Sequence, residues 1–260
     1  MTSTTNYGRL GNQIIRNLAV SLIAEKYNLY VNYYNYHLIK QLGIELFSGI
    51  NTYDNTILLN DKNYFNIYNF GNESGTVNGN GNENGNGNGI LTSNLNPNTD
   101  FFQTRDIINL LFDYLHTDKI KENIIKHNPF NSRYNNNNDL YIHIRLTDVE
   151  CYNPGLNYYM KTIKTIKFDK LHISTDNKQH YFIHEIIKSY PDTNIINYDE
   201  IQTFQFASTC KHIILSHGSF SAIIGYLAFY SNINYPEYEK NKIWYGDMFS
   251  LNGWIKHTIN

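Results

Sequence analysis

Between Leu140 and Phe229 short apolar runs alternate with longer amphipathic ones, and this alternation constrains the fold more than any other feature of the chain. Leu140–Arg145, Leu171–Ser174, Asn194–Asn197 and His212–Ser216 have the length and composition of strands. Leu156–Ile166, Tyr181–Tyr190, Gln202–Thr209 and Ser221–Phe229 carry apolar residues at helical spacing, the last nearly all round. Strands separated by helices of roughly ten residues form βαβ units on a parallel sheet, so an α/β fold is expected. In such sheets ligands bind beyond the carboxyl ends of the strands, which directs attention to the strand-to-helix loops.

Before residue 131 helical signals dominate. Gly11–Tyr27 places Ile14, Ile15, Leu18, Leu22 and Ile23 on one stripe, and Thr104–Lys126 repeats the pattern. Asn72–Gly89 is a glycine–asparagine tract with almost no apolar residue. It cannot bury enough surface to offset its ordering entropy, so it is expected to be a disordered insertion in the amino-terminal half. Deleting Thr76–Gly89 should leave ligand affinity within about threefold. A second polar break at Asn131–Asp139 reads as a boundary, giving an amino-terminal half at 1–134 and a carboxyl-terminal half at 139–260.

The chain has 260 residues, 41% of them hydrophobic and 15% aromatic, enough for a substantial core. Its 21 basic and 23 acidic residues nearly cancel, which argues against gripping nucleic acid by bulk charge. The lysines of 161–170 are interrupted by Asp169 and read as a solvated helix face. Cys151 and Cys210 have neither zinc-knuckle nor disulfide-scaffold spacing. No apolar run has bilayer length, and Met1–Tyr7 lacks a basic start and an apolar signal core, so a soluble cytoplasmic protein is expected. The abundance of Asn and Ile is what a coding bias produces and carries no functional content.

Three loops could carry chemistry. Gly8-Arg-Leu-Gly-Asn-Gln13 precedes a helix, whose unpaired N–H groups would accept a phosphate or sugar oxygen. The plain alternative is a glycine turn with Asn12 as N-cap. His143-Ile-Arg-Leu-Thr-Asp148 ends a strand, with His143 and Arg145 on one face. A guanidinium there can fork two phosphate oxygens, or simply pair with Asp148. Leu215-Ser-His-Gly-Ser-Phe-Ser221 is again strand, loop and helix, with small residues that let N–H groups and hydroxyls converge on an anion. The Gly-x-Ser-x-Gly elbow of serine hydrolases is absent from it.

Together these loops resemble the motifs of the α-1,2-fucosyltransferases (glycosyltransferase family 11), with looser similarity to the α-1,6- and protein O-fucosyltransferases. Gly8–Gln13 resembles the opening glycine motif, and His143–Asp148 the His-x-Arg motif. His172-Ile-Ser-Thr-Asp-Asn177 is similar to the strand ending in Ser-Asp-Asp. Phe206–Leu215 with Ser219-Phe-Ser221 is similar to the last motif. The four follow family order from residue 8 to about 230. The resemblance implies a GT-B-like fold of two Rossmann-like halves with parallel sheets, the amino-terminal half here reduced. It implies an inverting glycosyltransferase moving L-fucose from GDP-β-L-fucose to a glycan hydroxyl, with no metal and no other cofactor. It implies that Arg145 is catalytic and neutralises the departing diphosphate, and that His143 contacts the nucleotide. Ser219, Phe220 and Ser221 would close over diphosphate and guanosine, Asp176 would reach the base or ribose, and Gly11 and Asn12 would approach from the other half. Asp148, Glu150 and Asp176 are the carboxylates open to a general-base role.

The sequence departs from the family at Leu146, where the α-1,2 pattern has a second Arg, and at Ala222 and Ile223, where it has a Trp pair. Two alternatives stand beside the fucosyl reading: a related transferase using another nucleotide deoxysugar, and a catalytically silent nucleotide- or glycan-binding relic of the fold.

Overall fold

The computed structural model describes residues 1–70, 91–148, 150–237 and 246–259. The glycine–asparagine insertion at 72–89 lies outside the described residues, as do Trp244 and Tyr245. The chain divides into two compact units, one of Met1–Tyr36 with Glu45–Gln103 and one of His37–Ile44 with Thr104–Asn260.

The first unit comprises β1 (Thr2–Ser3), α1 (Leu10–Tyr27), β2 (Val31–Asn32), β3 (Thr56–Leu58), α3 (Tyr64–Tyr68) and β4 (Asn94–Asn96), with α2 (Tyr36–Gln41) leading out of it. β1 pairs with β2 and β3 with β4, both parallel. The Leu95 N–H donates to the Thr2 hydroxyl at 2.8 Å and joins the two pairs. α1 is buried over almost its whole surface and ends at Asn28, whose left-handed backbone (φ 53°) suits a short polar side chain. Even Arg16 is fully buried. Its Nη1 donates to the Tyr7 carbonyl at 2.8 Å and its Nε to that of Asp100 at 3.1 Å, beside the stacked rings of Tyr7 and Phe101.

The second unit runs α4 (Arg105–Leu115), α5 (Asp118–His127), β5 (Leu140–Ile144), α6 (Leu156–Lys164), β6 (Leu171–Thr175), α7 (Tyr181–Ser189), β7 (Asn194–Ile195), α8 (Glu200–Ala207), β8 (His212–Ile214), α9 (Ser219–Tyr226), β9 (Asn232–Pro236) and β10 (Ile255–His257). Its six strands form one parallel sheet in the order β10-β9-β8-β5-β6-β7. From β5 the chain steps outward through β6 to β7, returns to the other side of β5 as β8, and steps outward again. This is the 3-2-1-4-5-6 order of doubly wound nucleotide-binding sheets, with its switch point between β5 and β8. β5 is buried at every position, as a central parallel strand must be. Leu140, Ile142 and Ile144 pack with Ile173 and Ile214 against Tyr158, Tyr159 and Ile163 of α6 and Phe182, Ile183 and Ile186 of α7.

Two expectations are corrected. The helical pattern of 104–126 is two helices, broken where the Thr117 hydroxyl turns back to the Tyr114 carbonyl at 2.8 Å. Both helices belong with the second unit, because His116 bonds the Tyr226 carbonyl (3.0 Å) and Asn128 donates to that of Gln205 (2.8 Å). The division therefore falls after Gln103 and not in the asparagine run. That run is structural. The Asn137 carboxamide bonds Thr209 O, Asp139 N and Lys211 N, joining the amino ends of β5 and β8, and Asn138 reaches His212. Among the described residues no helix is long and apolar enough to cross a membrane.

Candidate functional site

The switch point of the second unit brings together six of the residues singled out from sequence: His143, Arg145, Asp176, Ser219, Phe220 and Ser221. His143 is the penultimate residue of β5 and is 7% exposed. Its Nδ1 lies 2.6 Å from the Ser221 hydroxyl, and its ring packs on Phe220 with centroids 4.9 Å apart. Burial, reinforced by the nearby positive charge of Arg145, drives the imidazole pKa down to about 3, so the ring is neutral at any physiological pH.

Arg145 follows the last residue of β5. Its Nη2 reaches both Asp148 oxygens, at 2.8 and 3.0 Å, while Nε is buried with no hydrogen-bond partner among the described residues. A buried guanidinium N–H left unmade is costly, and a ligand oxygen is the kind of partner that would satisfy it.

Asp176, just past β6, has its carboxylate turned onto the loop after β5. It accepts from Leu146 N (2.7 Å), Thr147 N (3.3 Å) and the Thr147 hydroxyl (2.6 Å). Partial burial works to raise its pKa, but these donors and Arg145 outweigh that and hold the carboxyl below its ordinary range. Asp176 braces the arginine loop with the same oxygens that a base or ribose contact would use. Glu150 bonds Nε2 of His180 at 3.0 Å, and the His180 Nδ1 caps α7 by accepting from Phe182 N at 3.2 Å.

Opposite β5, the loop after β8 delivers Gly218 and α9. Gly218 leads the helix at φ 88°, ψ 164°, and a Cβ built on it meets nothing within 4 Å among the described residues. Gly155 leads α6 in the same way, at φ 87°, ψ 157° and with the same open space. Two helices therefore start beside the switch point, each from a glycine whose backbone conformation few other residues adopt and whose Cα face is open. Ser219 and Phe220 are partly exposed on the first turn of α9, while Ser221 is fully buried. Phe220 also packs on Phe204 of α8 at 4.2 Å.

Sequence reasoning missed the residues that tie these loops together. Asn153 donates to the Arg145 carbonyl (2.8 Å) and to the Tyr159 hydroxyl (3.1 Å), which donates to Ser216 Oγ (3.0 Å), itself 3.2 Å from His217 Nδ1. This chain crosses the switch point from the β5 loop through α6 to the β8 loop. The Asn153-Pro-Gly155 turn was the one local signal for it.

Gly11 and Asn12 belong to the first unit and lie inside α1, so Asn12 is not its N-cap; Arg9 holds that position. Asn12 Oδ1 accepts from Gln103 Nε2 at 2.8 Å. Gly8 sits at φ 82°, where a Cβ would come within 2.8 Å of both Asn12 and Phe101, so the turn before α1 requires glycine. Among the described residues no cluster of three or more His, Cys, Asp or Glu side chains is arranged to hold a metal ion.

No protein-family model matches the chain, and no curated protein matches it. Among solved structures it is similar to the α-1,6-fucosyltransferase NodZ, in crystals soaked with GDP-fucose, at 14% identity and a TM-score of 0.28. The matched part spans 47% of this chain and 42% of that enzyme, and at that TM-score the likeness carries no weight of its own.

Proposed function

We propose that the chain is a glycosyltransferase that binds a nucleotide diphosphate sugar at the β5–β8 switch point of its second unit. The observation that carries this reading is the convergence there of Arg145, with a buried Nε that has no partner among the described residues, and two glycine-led helix starts in a sheet of dinucleotide-binding strand order. Such a site offers one fixed positive charge and backbone N–H groups to a diphosphate. The motif resemblance at Gly8–Gln13, His143–Asp148, His172–Asn177 and Phe206–Ser221 narrows the donor to GDP-β-L-fucose and the acceptor to a glycan hydroxyl.

The acceptor hydroxyl attacks the anomeric carbon from the face opposite the diphosphate and gives up its proton to solvent water, so the configuration inverts as the bond to the leaving oxygen breaks. Negative charge grows on the diphosphate in that step. Arg145 stabilises it where it develops, commonly the largest electrostatic contribution in such catalysis. His143, being neutral, contributes a hydrogen bond and no charge. The positively charged Arg145 and the backbone N–H groups do the work that a divalent cation does in other transferases, and the reaction proceeds without one.

Calorimetric titration with GDP, GDP-fucose and UDP, with and without EDTA, tests the proposal. Micromolar binding of the GDP species, much weaker binding of UDP and indifference to EDTA are expected. Tighter binding of UDP or of a thymidine diphosphate sugar would keep the site and change the donor. Absence of any nucleotide binding would overturn the reading.

A further inference from the structure

We infer that Ser221 is a positioning residue: its hydroxyl, anchored by the Ser216 backbone N–H, donates to Nδ1 of His143 and fixes the imidazole as the Nε2–H tautomer, which presents that N–H to a ligand oxygen. The identity of that oxygen as a phosphate oxygen rests on the function proposed above. The tautomer does not.

The argument is one of hydrogen-bond accounting. The Ser216 N–H lies 3.1 Å from Ser221 Oγ and can only donate, so the serine oxygen is an acceptor there. The hydroxyl has one proton to place, and Ser221 is fully buried, with no solvent to receive it. Among the described residues the hydroxyl makes no bond to a carbonyl of its own helix, and the single remaining neighbour is His143 Nδ1 at 2.6 Å. If Nδ1 carried the proton, two donors would face each other and the buried hydroxyl would go unsatisfied. Nδ1 is therefore the acceptor and Nε2 carries the proton. Nε2 has no hydrogen-bond partner among the described residues, so the donor stands ready for a ligand. Phe220 against the ring face holds the plane of the imidazole.

The surroundings keep the ring in this state. Burial, Arg145 and His217 oppose a second proton and outweigh Asp176, which favours one. A neutral imidazole with Nδ1 occupied is no general base, so His143 binds oxygen and does not remove protons. This also separates Ser221 from its neighbours Ser219 and Phe220: its hydroxyl is committed inside the protein and does not touch the ligand.

Long-range proton–nitrogen correlation spectra of the histidine-labelled chain, with His143→Gln to assign the signal, read the tautomer directly. We expect a pyridine-type Nδ1 and a pyrrole-type Nε2 with no titration between about pH 5 and 8. A pyrrole-type Nδ1, or a ring that titrates in that range, would overturn the proposal in the unaltered protein, whatever the variants do. In Ser221→Ala the His143 signal should shift toward a tautomer mixture and GDP affinity should fall roughly tenfold, whereas Ser221→Thr should keep the parent tautomer. An unchanged tautomer in Ser221→Ala would equally overturn the positioning role. Should that variant not fold, Ser221→Cys, with a weaker donor of similar size, provides the same comparison. A chain that binds no nucleotide yet shows the expected tautomer would sink the functional reading and leave this one intact.

Discussion

The Thr147 hydroxyl donates to the Asp176 carboxylate at 2.6 Å, so the loop that follows β5 is held by the loop that follows β6. With Leu146 N and Thr147 N on the same carboxylate, Asp176 sets the path along which Arg145 leaves the sheet. Asp176→Asn keeps the size but replaces one acceptor oxygen with a donor facing N–H groups. The expected outcome is a folded protein with weaker GDP binding. The pH dependence has a definite sign. The folded-state pKa is depressed, so the carboxylate stabilises the fold above the ordinary aspartate range, and that contribution disappears as pH falls through the lower folded value. Denaturation curves of parent and variant should therefore differ at neutral pH and converge in acid below the ordinary aspartate range. Equal stability at neutral pH would remove Asp176 from its bracing role.

Arg145→Ala should abolish transfer while the fold survives. Among the described residues the side chain is paired only with the half-exposed Asp148, a kind of ion pair whose loss changes stability by at most about 1 kcal/mol. Its proposed work is on the leaving diphosphate, where removal of one preorganised donor lowers turnover roughly 10²–10³-fold. Arg145→Lys keeps the charge but offers no planar fork and should recover little. Turnover equal to the parent in either variant would refute the assignment.

The central strands were legible in sequence because each is a short run dominated by apolar residues. Leu140–Ile144, Leu171–Thr175 and His212–Ile214 fall where composition alone places them. β9 and β10 were not, since Asn232–Pro236 is polar at alternate positions and contains Pro236, while Ile255–His257 is too short to leave a period. The two- and three-residue strands of the first unit are illegible for the same reason. At the site, the strand-end residues His143 and Arg145 could be read from position. Their partners could not: Ser221 is 78 residues from His143, and Tyr159 is 57 residues from Ser216. Only the closing of the sheet brings such pairs together, and no local pattern encodes them. The asparagine run of 135–138 misled for a related reason, because side chains that look like solvated linker are the ones wiring β5 to β8.

Gly218 and Gly155 share a backbone conformation that is essentially reserved for glycine, with φ near +88° and ψ near 160°. Among the described residues neither has a neighbour within 4 Å of a built Cβ, so alanine would suffer backbone strain and no clash with them. Gly218→Ala and Gly155→Ala should each destabilise the fold by about 1–3 kcal/mol in chemical denaturation. Because the space above each glycine is where a diphosphate would lie, GDP affinity measured on the folded fraction should also fall. A stability loss with GDP affinity unchanged would limit both glycines to shaping the loop.

Asp61 in the first unit supplies a pH signature of opposite sign. Its backbone N–H donates to Asp100 Oδ2 at 3.0 Å, and the two carboxyl groups share a hydrogen bond. Burial raises the Asp61 pKa to about 7; the charge and hydrogen bond of Asp100 add to the rise, and the Phe102 N–H opposes it. From about pH 4 to 7 the folded protein holds a proton that the unfolded chain has released, so stability declines as pH rises through that window and levels off above it. Asp61→Asn supplies a permanently neutral side chain and should flatten that part of the profile. Parent and variant are compared by denaturation at about pH 5 and about pH 8. The parent should lose more stability than the variant between the two. Parallel losses would mean that Asp61 is already ionised in the folded protein, and that the buried Arg16 beside Asp100 neutralises both carboxylates.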